Sequence, residues 1–166
     1  MIFKKSVAFL DRDDTLIMDT GYMDSQSEII FLPGVIEGLE LLSKRGVDLI
    51  LVSNQSGVSR GYISEEDVYK IEEKMASILE SNDIKFKNAY YCFHGPTEGC
   101  TCRKPGSGLI LQALNDYGYL PEFCCMFGDR ETDVEASRRA GVLGFQVCKG
   151  EFLESVKYWL ETMGYE

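Results

Sequence analysis

The chain has 166 residues, 45% of them hydrophobic and 27% charged, with 4 prolines. A chain of this length buries roughly 70% of its unfolded surface and needs no disulfides to hold a core; the composition excludes a disordered or collagen-like polymer. Seventeen cations against 27 anions leave a net charge of −10, which repels nucleic acid and anionic membrane over most of the surface.

No apolar run approaches the ~18 residues of a membrane span. The opening MIFKKSVAFLDRDD is too short in apolar residues for a signal-peptide core. The expectation is a cytoplasmic, soluble monomer that binds neither membrane nor nucleic acid, built as one domain over residues 1–166.

Short apolar runs alternate with helical stripes, the pattern of a parallel α/β sheet. SVAFL (6–10) reads as a buried strand stopped by charge. Past Pro33, Val35, Ile36, Leu39 and Leu42 share one helix face, closed by Gly46. VDLILV (47–52) is the second strand. Ser64 caps the next helix, with Asp67 three residues on and Ile63 and Val68 spaced as a hydrophobic staple; its stripe is Val68, Ile71, Met75 and Ile78. NAYYCF (88–93) is the third strand. Leu109, Ile110, Ala113, Leu114 and Tyr117 mark a third helix that Gly118 closes. FCCMF (123–127), a helix over 131–140, GFQVC (144–148) and a helix over 152–163 complete the chain.

Polar landmarks follow the strands. Asp11 ends the first, Ser53 the second, Arg103-Lys104 come after the third, and Asp129 ends the fourth. Open parallel sheets bind ligands at the carboxyl ends of their strands, so these groups are predicted to meet in one crevice. Several carboxylates at the lip of a core need compensation. A hard divalent cation such as Mg²⁺, which takes carboxylate oxygens and keeps sites for water and phosphate, would supply it.

The chain has six cysteines and one histidine. Cys92, His94, Cys100 and Cys102 lie within 11 residues in the pattern C-x-H-x5-C-x-C. Three thiolates and an imidazole form a closed tetrahedral set suited to structural zinc. The loop 92–102 is short and glycine-punctuated, so metal would supply its order. Four protein ligands leave no open position, so this zinc is not expected to be catalytic. Cys124, Cys125 and Cys148 read as core thiols.

Asp-x-Asp-x-Thr at 11–15, Ser53-Asn54-Gln55-Ser56, Arg103-Lys104-Pro105 and Gly128-Asp129-x-x-x-Asp133 occur in that order. Together they resemble the haloacid dehalogenase superfamily of phosphohydrolases. The resemblance implies a single Rossmann-like, doubly wound sheet with a zinc loop, and the short stretch from 16 to 52 leaves no room for a cap domain. It implies Asp11 as nucleophile, forming an aspartyl phosphate, and Asp13 as general acid and then base. Ser53 and Lys104 would hold the transferred phosphoryl group. Asp11, Asp129 and the backbone carbonyl of Asp13 would hold Mg²⁺, with Asp133 in support. Asp14 stands where close relatives usually carry glycine; it tolerates unusual backbone angles and is expected to face solvent.

Zinc-loop members of this superfamily chiefly resemble one of two kinds, acting on heptose 1,7-bisphosphate or on histidinol phosphate. The stretches Asp19-Thr20-Gly21-Tyr22, Asn54-Gln55-Ser56 through Arg60-Gly61, and Cys102-Arg103-Lys104-Pro105-Gly106 favour the heptose kind. They imply a small phosphorylated substrate contacted by Asp19, Gly21, Tyr22, Asn54, Gln55, Ser56, Arg103 and Lys104, with Arg103 on a second phosphate. The five residues between His94 and Cys100, and Gly-Asp-Arg-x-Thr-Asp at 128–133, favour the histidinol-phosphate kind. A receiver-like switch and a sugar-phosphate-binding pseudo-enzyme are the competing classes; Mg²⁺-dependent turnover discards both.

Overall fold

A computed structural model gives the fold, with residues 5–165 described. Met1 to Lys4, part of the N-terminal segment read above, and Glu166 lie outside the described residues. The elements run β1 (Val7–Leu10), α1 (Val35–Lys44), β2 (Asp48–Asn54), α2 (Glu65–Glu80), β3 (Asn88–Cys92), α3 (Gly108–Tyr117), β4 (Cys124–Gly128), α4 (Glu131–Arg139), β5 (Leu143–Gln146) and α5 (Phe152–Thr162). The strands form one sheet in the order β3-β2-β1-β4-β5, and every pairing is parallel. The expected doubly wound α/β fold is therefore observed.

Period-2 alternation explains why the inner strands read as unbroken apolar runs. Ala8, Leu10, Leu49, Leu51, Cys125 and Phe127 face one core with α1, α2 and α5. Val7, Phe9, Ile50, Val52, Cys124 and Met126 face the other, under α3 and α4. Each side chain on β1 is fully buried, so both faces of the centre must be apolar.

Local signals placed the helices. Ser64 and Asp67 form a reciprocal capping box: Asp67 N–H donates to Ser64 Oγ at 3.1 Å and Ser64 N–H to Asp67 Oδ2 at 2.9 Å. Gly118, at φ 67°, ends α3 in the left-handed conformation and donates its N–H to the Leu114 carbonyl. Two residues depart from expectation. Ile78 is 40% exposed, and Leu79 takes its place in the α2 stripe; at 100° per residue the two sit beside each other, and the stripe turns toward the later position. Cys148 is exposed rather than a core thiol, because β5 stops at Gln146 and the chain turns away, with Cys148 N–H donating to Glu151 Oε2 at 3.1 Å. Cys124 and Cys125 are buried as expected.

The chain winds outward from β1 to β2 and β3, then returns across to β4 and β5. The reversal leaves a crevice above β1 and β4, where ligands bind in such sheets. Register fixes its walls: Leu10 pairs with both Leu51 and Phe127, so Asp11, Ser53 and Asp129 emerge at nearly one level. Among the described residues, a loop and α1 are all that separates β1 from β2, and no cap is inserted. Among the described residues, no helix is long and apolar enough to cross a membrane.

The close fit of β4 to α4 depends on Gly128. A Cβ there would overlap the Asp133 side chain, which α4 lays directly over the strand end. Gly128→Ala should therefore displace Asp133 and destabilise the fold by roughly 1–3 kcal/mol, the usual penalty for overpacking. A melting temperature equal to wild type would contradict this close approach.

Candidate active site

The centre of the crevice is Lys104, whose side chain is almost fully buried. Its Nζ donates to Asp11 Oδ1 at 2.7 Å and to the Val52 carbonyl at 2.8 Å, and lies 2.6 Å from Asp133 Oδ1. All three ammonium protons thus have a partner. Burial opposes the charge, but the Asp11 and Asp133 carboxylates outweigh it and raise the lysine pKa. The group is a fixed cation at the end of β1.

Asn54, at the end of β2, holds this lysine by its backbone. Asn54 Nδ2 donates to the Lys104 carbonyl at 3.1 Å, and Lys104 N–H donates to Asn54 Oδ1 at 3.0 Å. The side-chain amide is matched to a peptide group 50 residues away. Sequence reading assigned Asn54 to the substrate; its amide is used here to tether the loop that carries Arg103 and Lys104.

Asp133 is held once more, at the start of α4. Arg130 N–H donates to Asp133 Oδ2 at 3.0 Å, closing the helix N-terminus. This matches the expected supporting position. Asp11, Asp129 and Asp133 bring carboxylate oxygens within 4.8 Å of one another. Thr15 Oγ1 lies 3.3 Å from both Asp11 Oδ2 and Asp129 Oδ1, and its one proton serves one of them at a time. Burial and then the Asp11 charge push the Asp129 carboxyl up to about 6. Lys104 already answers Asp133 and one oxygen of Asp11. The Asp11–Asp129 side has only the exposed Arg130 guanidinium, 3.8 Å from Asp129 Oδ2, as a further cation among the described residues, a donor set that fits a hard divalent cation.

Asp13 has a separate set of partners. Arg12 Nε and Nη2 donate to its two oxygens at 2.9 and 3.1 Å, and Gln55 Nε2 donates to Oδ2 at 2.8 Å. The same Gln55 nitrogen donates to Ser53 Oγ at 2.9 Å. Ser53 is buried beneath Gln55, with its hydroxyl proton still available.

These groups open onto a cleft of about 590 Å³. Asp11, Asp13, Asp19, Gly21, Tyr22, Asn54, Gln55, Ser56, Arg103 and Lys104 all line it, so ten of the expected residues converge. Ser53 and Asp129 are not among the residues that line it. Arg60, Arg130, Thr132 and Ile63 also line it, and sequence reading had not placed them there. Tyr22 stacks on Tyr62 with centroids 4.5 Å apart, and Arg60 Nη1 donates to the Tyr22 hydroxyl at 3.4 Å. Asp14 is not simply solvent-facing. It takes φ 57°, accepts the Asp19 N–H at 3.1 Å, and lies 3.8 Å from Lys149 Nζ.

The cysteine loop forms a second cluster beside the cleft. Cys92 Sγ lies 3.3 Å from Cys102 Sγ, 3.7 Å from Cys100 Sγ and 3.4 Å from His94 Nδ1; His94 Nδ1 lies 3.2 Å from Cys102 Sγ. Zinc–sulfur bonds of about 2.3 Å put tetrahedral neighbours roughly 3.8 Å apart, so the four atoms fit a zinc ion. Burial raises the Cys100 thiol, but the Arg103 backbone N–H and the neighbouring thiols outweigh it and bring the pKa down to about 7. Arg103 follows the last ligand directly, with Nη1 donating to the His94 carbonyl at 3.4 Å.

The chain is similar to several known proteins. The polynucleotide kinase 3 phosphatase family model matches residues 6–127, more than half of the chain, and the HAD-hydrolase-like model matches 101–157. A D-glycero-beta-D-manno-heptose-1,7-bisphosphate 7-phosphatase of Haemophilus influenzae is 41% identical over 140 residues, covering 81% of this chain and 76% of the relative. One from Helicobacter pylori is 33% identical over 162 residues, covering 97% and 93%. The crystal structure of the D,D-heptose 1,7-bisphosphate phosphatase from B. bronchiseptica, complexed with magnesium and phosphate, superposes with a TM-score of 0.86 at 24% identity, covering 95% of this chain and 99% of that one.

The crowding around Asp129 has a measurable consequence. A carboxyl raised in the folded state destabilises the metal-free fold above its folded pKa and relieves it below. Asp129→Asn should therefore raise the melting temperature of metal-free protein by a few degrees at pH 7.5, and the gain should shrink below about pH 6. A variant that melts lower than wild type at pH 7.5 would contradict the crowding.

Proposed function

The chain belongs to the haloacid dehalogenase-like phosphatases, alongside its heptose-bisphosphate phosphatase relatives, and we propose that it removes the 7-phosphate of D-glycero-D-manno-heptose 1,7-bisphosphate through an aspartyl phosphate on Asp11. The whole chain, 1–166, acts as one phosphatase domain with loop 92–102 as its zinc-bound insert. In this reading it works as a cytoplasmic monomer on a small molecule.

A carboxylate oxygen of Asp11 attacks phosphorus, and the bond from phosphorus to the sugar oxygen breaks. Asp13 in its acid form gives that oxygen a proton. Water then attacks the aspartyl phosphate, Asp13 takes a proton from it, and phosphate leaves with Asp11 restored. Lys104 keeps Asp11 in place and offsets charge on the phosphoryl oxygens. The Ser53 hydroxyl, beneath Gln55, donates to the same group. Mg²⁺, held by Asp11, Asp129 and the Asp13 carbonyl, would neutralise charge on the phosphoryl group and its attacker. Asp19, Gly21 and Tyr22 line the sugar end of the cleft with Gln55 and Ser56.

One observation supports a bisphosphate most. A chain of net charge −10 gathers Arg60, Arg103 and Arg130 around a single cleft, in addition to its buried lysine. Lys104 occupies the phosphoryl end, which leaves guanidinium groups for a distal anion. The matched family model is named for a polynucleotide phosphatase, but the overall acidity disfavours a polyanion as substrate. Histidinol phosphate is the competing small substrate, favoured by the spacing of the zinc ligands and the sequence at 128–133.

Phosphate release from both heptose 1,7-bisphosphate anomers and from histidinol phosphate tests the choice. An arginine pairing with phosphate contributes roughly 1.5–3 kcal/mol, so Arg103→Ala should lower kcat/KM for the bisphosphate on the order of tenfold to a hundredfold. Histidinol phosphate has no second phosphate and should lose much less. Equal losses on the two substrates would shift the reading to histidinol phosphate.

The zinc assignment has its own test. Elemental analysis should find about one zinc per chain, from the four-ligand set. Cys102→Ser should release it and lower both melting temperature and activity, since the loop runs straight into Arg103 and Lys104. Zinc-free protein with full stability and activity would refute the role.

A further inference from the structure

Arg12 has no part in the mechanism above, yet it is one of the largest fully buried side chains, with 2% exposure. Burying a guanidinium is unfavourable unless its donors are matched. Here the match is incomplete: Nε and Nη2 grip the two oxygens of Asp13, while Nη1 is buried with no partner among the described residues. A buried ion pair is seldom more stable than apolar residues of the same volume. Stability alone is thus a poor reason for an arginine at this position.

The geometry supplies a better one. A forked contact fixes both the direction and the tilt of a carboxylate, which a single hydrogen bond does not. Gln55 Nε2 adds a third donor on Oδ2, and Asp13 still lines the cleft with its side chain 25% exposed. A guanidinium only donates and is never deprotonated in proteins, so it can orient Asp13 without taking the proton that Asp13 must carry. We propose that Arg12 is a positioning residue that holds the Asp13 carboxyl at the cleft wall for proton transfer to the leaving-group oxygen. This rests on the reading of Asp13 as the general acid.

Phenyl phosphates with different leaving groups test it, independently of the sugar. 4-Nitrophenolate leaves without a proton, whereas phenolate needs one more. Arg12→Met removes the fork and fills the volume. It should cut kcat/KM for phenyl phosphate on the order of tenfold or more and for 4-nitrophenyl phosphate by less than about threefold. Its melting temperature should hold or rise, because the Asp13 left behind reaches water. Asp13→Asn strands the buried guanidinium and should melt lower than Arg12→Met. If Arg12 acts through Asp13, the double variant should discriminate between the two esters no more steeply than Asp13→Asn alone.

Equal loss on both esters, or a double variant that steepens by the further factor of Arg12→Met, would overturn the proposal. Asp13→Asn without leaving-group selectivity would instead remove the acid reading beneath it, which is a different outcome. Should Arg12→Met fail to fold, Arg12→Lys keeps the charge and loses the fork. An intermediate selectivity in that variant supports positioning, and the wild-type ratio overturns it.

Discussion

One buried ammonium organises this molecule. Lys104 draws together the ends of β1, β2 and α4 through Asp11, the Val52 carbonyl and Asp133. Its desolvation would be prohibitive in isolation and is offset only because two carboxylates and a carbonyl arrive from separate elements. Each partner is in turn fixed elsewhere: Asp133 by the Arg130 N–H, the Lys104 backbone by the Asn54 amide. This buried cluster therefore exists only in the completed fold. Losing any one support leaves a buried charge uncompensated, so the site and the sheet share one stability.

The same arrangement separates two acidic neighbourhoods. Lys104 and Arg12 answer Asp133, part of Asp11, and Asp13. Asp129 and the outer oxygen of Asp11 receive less, and the rise of the Asp129 pKa reports it. In the proposed mechanism, cation attraction and acid–base chemistry fall to different carboxylates because of the donors behind them, although Asp11, Asp129 and Asp133 bring oxygens within 4.8 Å of one another. Asp14 belongs to neither. At φ 57° it sits where a side chain is disfavoured, and its carboxylate repays part of that strain by accepting the Asp19 N–H at the head of a loop that lines the cleft. A glycine there would relieve the strain and lose the tether.

Much of this was legible from the sequence because the signals are local. Buried runs ended by polar residues mark the strands and, through register, the crevice. The capping pair Ser64–Asp67 and the left-handed Gly118 mark helix ends. Ile78 and Leu79 could not be ranked, since one step along a helix moves a residue only to the stripe's margin. Cys148 looked apolar in context, but the strand beneath it stops two residues earlier. Arg12 and Asn54 were harder for another reason. An arginine between two aspartates reads as a solvated turn, and nothing local says that it folds inward. The Asn54–Lys104 pairing joins residues that only the β2–β3 crossover brings together. Such non-local hydrogen bonds leave no periodicity in the chain.

The absence of a cap has a consequence for how such a site can operate. Many enzymes close over their substrates to keep solvent away from reactive intermediates. Here, among the described residues, no inserted domain lies above Asp11, and the Tyr22–Tyr62 pair and Arg60, Arg103 and Arg130 stand along the cleft. For a hydrolytic reaction that openness is no defect, because the solvent is itself the second reactant. In the proposed mechanism, water would reach the phosphorylated Asp11 without waiting for a hinge, and phosphate would depart by the same route. What the molecule gives up in exclusion it recovers in traffic, and discrimination among phosphate esters falls to side chains at the rim rather than to the fit of a lid.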